Sequence, residues 1–222
     1  IPIITVFTSF FEDTSNYYQI LKDTFLVEYI SNSLILLICV LVLTFVLGTS
    51  SAYLVSFYTF PLSNFFKWAL ILSFAVPPYI YAFSLTAFFE NYGTLYSILK
   101  NLFGNANYNQ HIPKFDGLLG AILSLSFSLF AYVYILARAS FFYQSQNLVD
   151  LGRSLGFSKL KSFYSLILPA ARPAIVTGLS LVAMETLAEF GAVDFFSINT
   201  LTTGIYNAWI TFDDLAFANR IS

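Results

Sequence analysis

The sequence predicts an all-α polytopic membrane protein, and three observations carry that expectation. Of its 222 residues, 58% are hydrophobic and only 10% are charged, where a soluble domain carries about 25% charged residues. Long intervals hold no Asp, Glu, Lys or Arg at all. The basic residues gather instead in and beside one glycine-bearing stretch, "DLGRSLGFSKLKSFYSLILPAARPAI", from Asp150 to Ile175. Hydrocarbon offers no partner to a free backbone N–H or C=O, so apolar runs of this length are expected to be helices.

The first interval without charge lies between Glu28 and Lys67. About 20 apolar residues cover a hydrocarbon core of roughly 30 Å, which places a first span at about 33–58. A second interval, Trp68–Phe89, predicts a span at about 66–89, and a third, Gly117–Ala137, one at about 117–138. A fourth apolar segment begins near Pro173 and gives a span at about 173–191. It differs from the others in carrying Glu185 and Glu189.

Charge sets the orientation. Five of the ten basic residues and one acid, Asp150, fall between Arg138 and Arg172. Before the first span stand Glu12, Asp13, Asp23 and Glu28 with a single Lys, and the tail from Asp194 holds three acids and one Arg. Basic loops stay in the cytoplasm, so the loop at about 139–172 is expected inside, with residues 1–32, 90–116 and the tail outside. The second span contains "AVPPYIYAF", where Pro77 and Pro78 remove two amide donors. Such a break suits either a cavity-lining broken helix or a packing kink. Aromatic clusters such as "YIYAF" and "YNAW" stand where interfacial belts would lie.

Other chemistry is excluded. Net charge is −2 and no basic block suits nucleic acid. Cys39, alone in an apolar run, has no disulfide partner and no metal-ligand spacing, so it is expected to be a small buried hydrophobe. His111 sits in an outside loop without a second ligand nearby. No P-loop, H-E-x-x-H or C-x-x-C motif is present. No catalytic residue, metal site or cofactor is expected on this chain, so energy conversion would reside on another. The chain starts at Ile1 without signal-peptide features and closes on "FANRIS", so it is expected to be a fragment, a single incomplete transmembrane unit over 1–222.

The stretch from Asp150 resembles the cytoplasmic loop of permeases that work with ATP-binding cassettes. That loop reads, in outline, E-A-A, three residues, G, nine residues and I-x-L-P. Anchored on Leu168–Pro169, the glycine falls on Gly156 and the acid on Asp150, followed by Leu151 and Gly152. Asp replaces Glu, Leu-Gly replaces Ala-Ala, and Leu166 replaces Ile. Together with "METLAEFGAV", "TLTTGIYNAW", "SLILLICVLVLTFVLGTSSAYL" and "AVPPYIYAFSLTAF", the stretch resembles the first half of the ferric-iron importer permeases, in which two homologous halves share one chain. Ala131 departs from that pattern, where relatives tend to carry Pro.

The resemblance implies the helix bundle of type I, methionine-importer-like permeases, multi-pass in the bacterial inner membrane. It implies a membrane-spanning subunit of an importer that moves ferric iron delivered by a periplasmic substrate-binding protein. A cytoplasmic ATP-binding-cassette ATPase dimer would drive it, and a second permease half would complete it; nucleic acid is no partner, and membrane lipid is. The residues so implied to couple to the ATPase are Asp150, Leu151, Gly152, Arg153, Ser154, Leu155, Gly156, Leu168 and Pro169. The physics agrees. Asp150 near a helix start would favour the dipole, and Gly156 turns the chain at positive φ without strain. Leu155, Leu160, Phe163 and Leu166 give an apolar set on the rough spacing of a helical face.

Candidate path residues are Glu185, Glu189 and Asp194, with the Pro77–Pro78 break. Glu185 and Glu189 are four apart and share a helical face. Glu185 lies about 18 Å along the helix from Pro173, past the midplane. Ionisable groups within a span face a cavity or a partner. They could line an entry for a hard cation such as Fe³⁺, or pair with basic groups elsewhere. The loop does not choose a substrate: thiamine, phosphonate, a polyamine or an oxyanion would serve the same class. An ion-coupled secondary transporter is the reading from another class, and the register from Asp150 to Pro169 opposes it.

Overall fold

The computed structural model describes residues 26–104, 114–211 and 218–219. Glu12, Asp13, Asp23, His111, Asp213, Asp214 and Arg220 lie outside the described residues. Helix α1 spans Leu26–Phe57, thirty-two residues. Its Thr and Ser hydroxyls bond back along the helix, as Thr44 does to the Val40 carbonyl at 2.8 Å, which removes the cost of a bare hydroxyl in an apolar run. One face, through Ser33, Leu36, Val40 and Thr44, is buried. The opposite face leaves Leu34, Ile38, Val42 and Val46 uncovered, a surface that hydrocarbon solvates and water does not. Cys39 is half-buried.

The second apolar segment is not one rod. Helix α2 (Ser63–Ala69) and a 3₁₀ turn (Leu72–Ala75) are followed by α3 (Pro78–Phe89) and α4 (Thr94–Phe103), and the two pieces meet at 102°. Val76 is extended, at φ −102° and ψ 115°, as a residue before proline prefers. Pro78 takes the first position of α3, where its missing N–H costs nothing.

Helix α5 runs from Gly117 to Ser154, thirty-eight residues. It continues four turns beyond the expected span end at 138, because no Pro or Gly interrupts residues 139–151. At 1.5 Å per residue it is about 57 Å long, well over the hydrocarbon thickness. Then come α6 (Lys159–Ser162), a π-type turn (Phe163–Ile167), α7 (Leu168–Ala170) and α8 (Arg172–Ala188), with a 68° bend between α7 and α8. Helix α9 (Gly191–Phe195), α10 (Leu201–Tyr206) and a second π-type turn (Asn207–Thr211) complete the described elements. Among the described residues two helices, Leu26–Phe57 and Gly117–Tyr143, are long and apolar enough to cross a membrane, and each of the two bent pairs also qualifies if taken as one span.

The chain divides into two compact units. One comprises Cys39–Tyr81 and Leu125–Thr186. Its core includes Val40, Leu125, Val133, Tyr134, Phe141 and Val182. Here Gly48 and Gly178 flank Val133: a Cβ on Gly48 would stand 2.7 Å from the Val133 Cβ, and one on Gly178 3.0 Å from the Val133 Cα. Small residues thus let α1 and α8 both close on α5. The other unit comprises the chain up to Ile38, Ala82–Ser124 and the part from Leu187. There Gly204 rests on the Tyr29 ring, the Ser33 hydroxyl accepts from the Leu201 amide at 3.0 Å, and Asn32 donates to the Asn199 carbonyl at 2.9 Å.

Side chains of α5 hold the broken segment. The Ser128 hydroxyl donates to the freed Val76 carbonyl at 3.0 Å. The Lys67 carbonyl receives both the Tyr134 hydroxyl at 3.2 Å and Arg138 Nη1 at 3.1 Å. An orphaned carbonyl in a dry setting costs about 1–3 kcal/mol, so this sharing makes a prediction. Tyr134→Phe or Arg138→Met alone leaves one donor and should cost roughly 1 kcal/mol. The double variant should cost about 3–4 kcal/mol, more than the sum of about 2, measured by denaturation in detergent; strict additivity would refute a shared acceptor.

Candidate functional site

The basic stretch folds as a helical hairpin whose turn is built by the backbone of Gly156. Helix α5 ends with Gly156 at φ +70°, the left-handed region that only glycine enters freely. The Gly156 amide donates to the Arg153 carbonyl at 3.0 Å and the Phe157 amide to the Gly152 carbonyl at 2.9 Å. This bond pair is a Schellman termination, which satisfies the last carbonyls of the helix. Ser158 then opens α6, its hydroxyl accepting from the Lys161 amide.

Gly152 lets the two arms meet. A Cβ there would strike the Ser162 side chain, whose Cβ would be 2.9 Å away. The Leu-Gly pair at 151–152 therefore divides its work: Gly152 closes the hairpin and Leu151 stays exposed. Asp150 stands in the last turns of α5, not near a helix start, so the dipole opposes rather than favours it. It pairs with Arg153 at 3.2 Å, both side chains 72% exposed, a contact worth about 0–1 kcal/mol. Ser154 bonds back to the Asp150 carbonyl at 2.9 Å.

The apolar set of the hairpin is split. Phe163 is buried, its ring 4.2 Å from that of Tyr53 and 6.1 Å from that of Phe141, and Ile167 is buried with it. Leu155 and Leu160 are exposed, together with Leu151 and Tyr164, while Leu166 is half-buried. Leu168 and Pro169 form the start of α7, just past the π-type turn, where the Leu168 amide reaches the Phe163 carbonyl. Proline has no N–H to continue the ladder, so the widened turn ends there. The result is a hairpin anchored on one face by aromatic packing and apolar on the other.

The candidate path acids are placed differently from one another. Glu185 lies on α8 and its Oε1 accepts from the Tyr132 hydroxyl at 3.2 Å; Tyr132 in turn meets the Phe74 ring edge-on at 4.7 Å. Helix α8 ends at Ala188, so Glu189 falls beyond the helix it was expected to share with Glu185. Its Oε1 accepts from the Ala192 amide at 2.8 Å and its carbonyl from the Thr202 hydroxyl at 2.8 Å. Asp194 is exposed on α9. Pro77 and Pro78 sit at the break, where the Pro77 carbonyl accepts from the Ile80 amide at 2.9 Å and starts α3. Among the described residues no group of three or more His, Cys, Asp or Glu could hold a metal ion. Sequence reasoning missed Ser128, Tyr132, Tyr134 and Arg138. Only Arg138, a cation at the edge of an apolar run, carried a local signal.

Comparison with known proteins completes the description. The family model described as "Binding-protein-dependent transport system inner membrane component" matches residues 44–212. The chain is 28% identical to the Fe(3+)-transport system permease protein FbpB 2 of Haemophilus influenzae over 82% of its own length and 31% of that protein. It is 26% identical to the sulfate transport system permease protein CysT of Salmonella typhimurium over 69% of its length and 53% of that protein. To the molybdate/tungstate transport system permease protein WtpB of Pyrococcus abyssi it is 23% identical, over 87% of its length and 69% of that protein. The chain thus spans about a third of the first of these relatives and about half of the second.

Proposed function

Because the chain belongs to the inner membrane components of binding-protein-dependent transport systems, we propose that it is a permease portion of an ATP-binding-cassette importer for ferric iron. The hairpin is the cytoplasmic docking lever. The observation that carries the reading is its construction: a Schellman turn at Gly156, arms locked at Gly152 and Ser162, Phe163 packed on α1 and α5, and Leu151, Leu155, Leu160 and Tyr164 left apolar and exposed. A rigid element with an uncovered apolar face suits insertion into a groove on a partner. ATP-driven closure of a cassette dimer moves the lever, and α8, joined to it through the bend after α7, turns with it. The helices then alternate between inward and outward openings. A periplasmic binding protein supplies substrate from the other side, and a second permease half completes the path.

Iron is favoured because the Fe(3+) permeases are among the relatives over most of this chain and because carboxylate oxygen suits hard cations. Glu185, exposed on α8 with its Oε1 accepting from the Tyr132 hydroxyl, is the acid better placed to serve a passing ion, as the Glu189 carboxylate is engaged with a backbone amide. A transient contact suffices, since a tight site would slow release. The second reading, an oxyanion substrate, rests on the sulfate and molybdate/tungstate relatives.

The test is uptake by cells lacking their own importers and expressing the full-length protein with its neighbouring cassette ATPase and binding protein. Radioactive ferric iron, sulfate and molybdate are compared. Iron should accumulate only with ATPase activity, and Glu185→Gln should lower the rate by roughly tenfold, the effect of about 1.4 kcal/mol on the barrier. Sulfate or molybdate uptake without iron uptake would move the assignment to the oxyanion reading. Unchanged iron uptake in Glu185→Gln would remove that carboxylate from the path.

A further inference from the structure

A pocket of about 130 Å³ opens between the arms of the hairpin, beside its turn, and the C-terminal end of α1. It is lined by Tyr53, Tyr58, Arg153, Phe157, Lys159 and Ser162, among others, and none of the lining residues is acidic. Its donors are of one kind. Arg153 offers the planar fork that matches phosphate oxygens, and Lys159 adds a mobile point charge. The Tyr53 and Tyr58 hydroxyls stand 3.5 Å apart at its edge. Lys159 Nζ is 5.7 Å from the centre of the Tyr58 ring, and Lys161 Nζ is 4.2 Å from that of Phe157, so a third cation raises the local positive potential. The Asp150 carboxylate pairs with Arg153 Nη1 at 3.2 Å, and the pair is exposed. A contact of that kind is weak enough to yield to an anion with several oxygens.

Depth decides which anion. Tyr53 and Phe57 close the membrane-crossing helix α1, and Tyr58 follows it. Aromatic residues at the end of a span mark the headgroup level, and a basic pocket between helices on the cytoplasmic side suits an anionic headgroup. We propose that this pocket binds the phosphate of an anionic phospholipid and thereby ties the hairpin, beside its turn, to the cytoplasmic leaflet. The lipid would steady the end of the lever at which α1, α5 and α6 meet. The proposal rests on the reading that the hairpin is cytoplasmic. Lipid retention is measured without nucleotide or transport, so its failure leaves the coupling assignment standing, and the reverse also holds.

The test is native mass spectrometry of the purified full-length protein in detergent, titrated with phosphatidylglycerol or phosphatidylcholine. Two neighbouring cations should favour the anionic lipid by on the order of tenfold. Arg153→Gln with Lys159→Gln should reduce phosphatidylglycerol retention to the phosphatidylcholine level, whereas Arg172→Gln, a cation of the same basic region outside the pocket, should not. Lys159→Gln alone, at an exposed position, should give an intermediate loss and serves if the double variant does not fold. Equal retention of the two lipids, or retention unaffected by the pocket substitutions, overturns the proposal. Displacement of phosphatidylglycerol by millimolar inorganic phosphate would overturn the lipid as occupant and assign the pocket to free phosphate.

Discussion

Gly156→Val is expected to abolish ATP-dependent uptake while leaving the protein in the membrane at its normal level. The backbone there is at φ +70°, and a Cβ would meet nothing within 4 Å. The whole penalty is therefore conformational. A side chain in the left-handed region costs roughly 1–2 kcal/mol, and a β-branched one is worse placed. That is small against the packing of the spans, but the hairpin can relieve it locally by giving up the bonds from Gly156 to Arg153 and from Phe157 to Gly152. Both arms would remain helical, at a different angle. A lever that no longer meets its partner transmits nothing, so uptake and stimulated ATP hydrolysis should fall together. Gly156→Asn, which tolerates the left-handed region, should retain most activity. Wild-type uptake by the valine variant would end the coupling assignment.

Gly48→Leu and Gly178→Leu are expected to have the opposite signature: no folded protein at all. Both glycines take ordinary helical backbone, so conformation is not what demands them. Space is. Beyond its contact with the Val133 side chain, a Cβ on Gly48 would stand 3.0 Å from the Phe130 carbonyl; on Gly178 it would approach the backbone of Val133 and Tyr132. Backbone cannot rotate aside as a side chain can. Overpacking of this kind costs 1–3 kcal/mol and more when helices must separate. Solubilised protein should lose its monodisperse profile in size-exclusion chromatography and its cooperative thermal transition. The alanine variants should show the same change in milder form. Stable, monodisperse Gly48→Leu protein would mean that α1 and α5 do not approach as described.

The three glycines show how far local sequence carries. Gly156 was legible because its need is local: a basic, capped stretch with leucine and proline at fixed distances requires a turn there, and a turn at positive φ selects glycine. Gly48 heads a stretch of small residues, Gly48 to Ala52, that does not say which helix comes close or why an alanine would not serve. Its reason is Val133, 85 positions away. The Pro77–Pro78 break was legible for the same reason as Gly156. The side chains that make it tolerable, Ser128, Tyr134 and Arg138, lie 52 to 71 residues from the carbonyls that they serve. Helix α5 outran its expected end because charge density marks where lipid stops, whereas a helix runs on until a proline, a cap or a residue at positive φ such as Gly156 ends it.

By itself the sequence determined what depends on composition and on short-range backbone preference. That covers an all-helical membrane architecture, the break at Pro77–Pro78, and the glycine turn of the basic stretch. Tertiary structure alone decided which side of the hairpin is buried, that Glu185 meets Tyr132 while Glu189 turns to a backbone amide, and how the broken segment keeps its carbonyls satisfied. The division has one physical cause. Dihedral preferences and hydrophobic transfer act residue by residue, so they can be read in a window. A hydrogen bond or a close approach belongs to two groups that only the folded chain brings together.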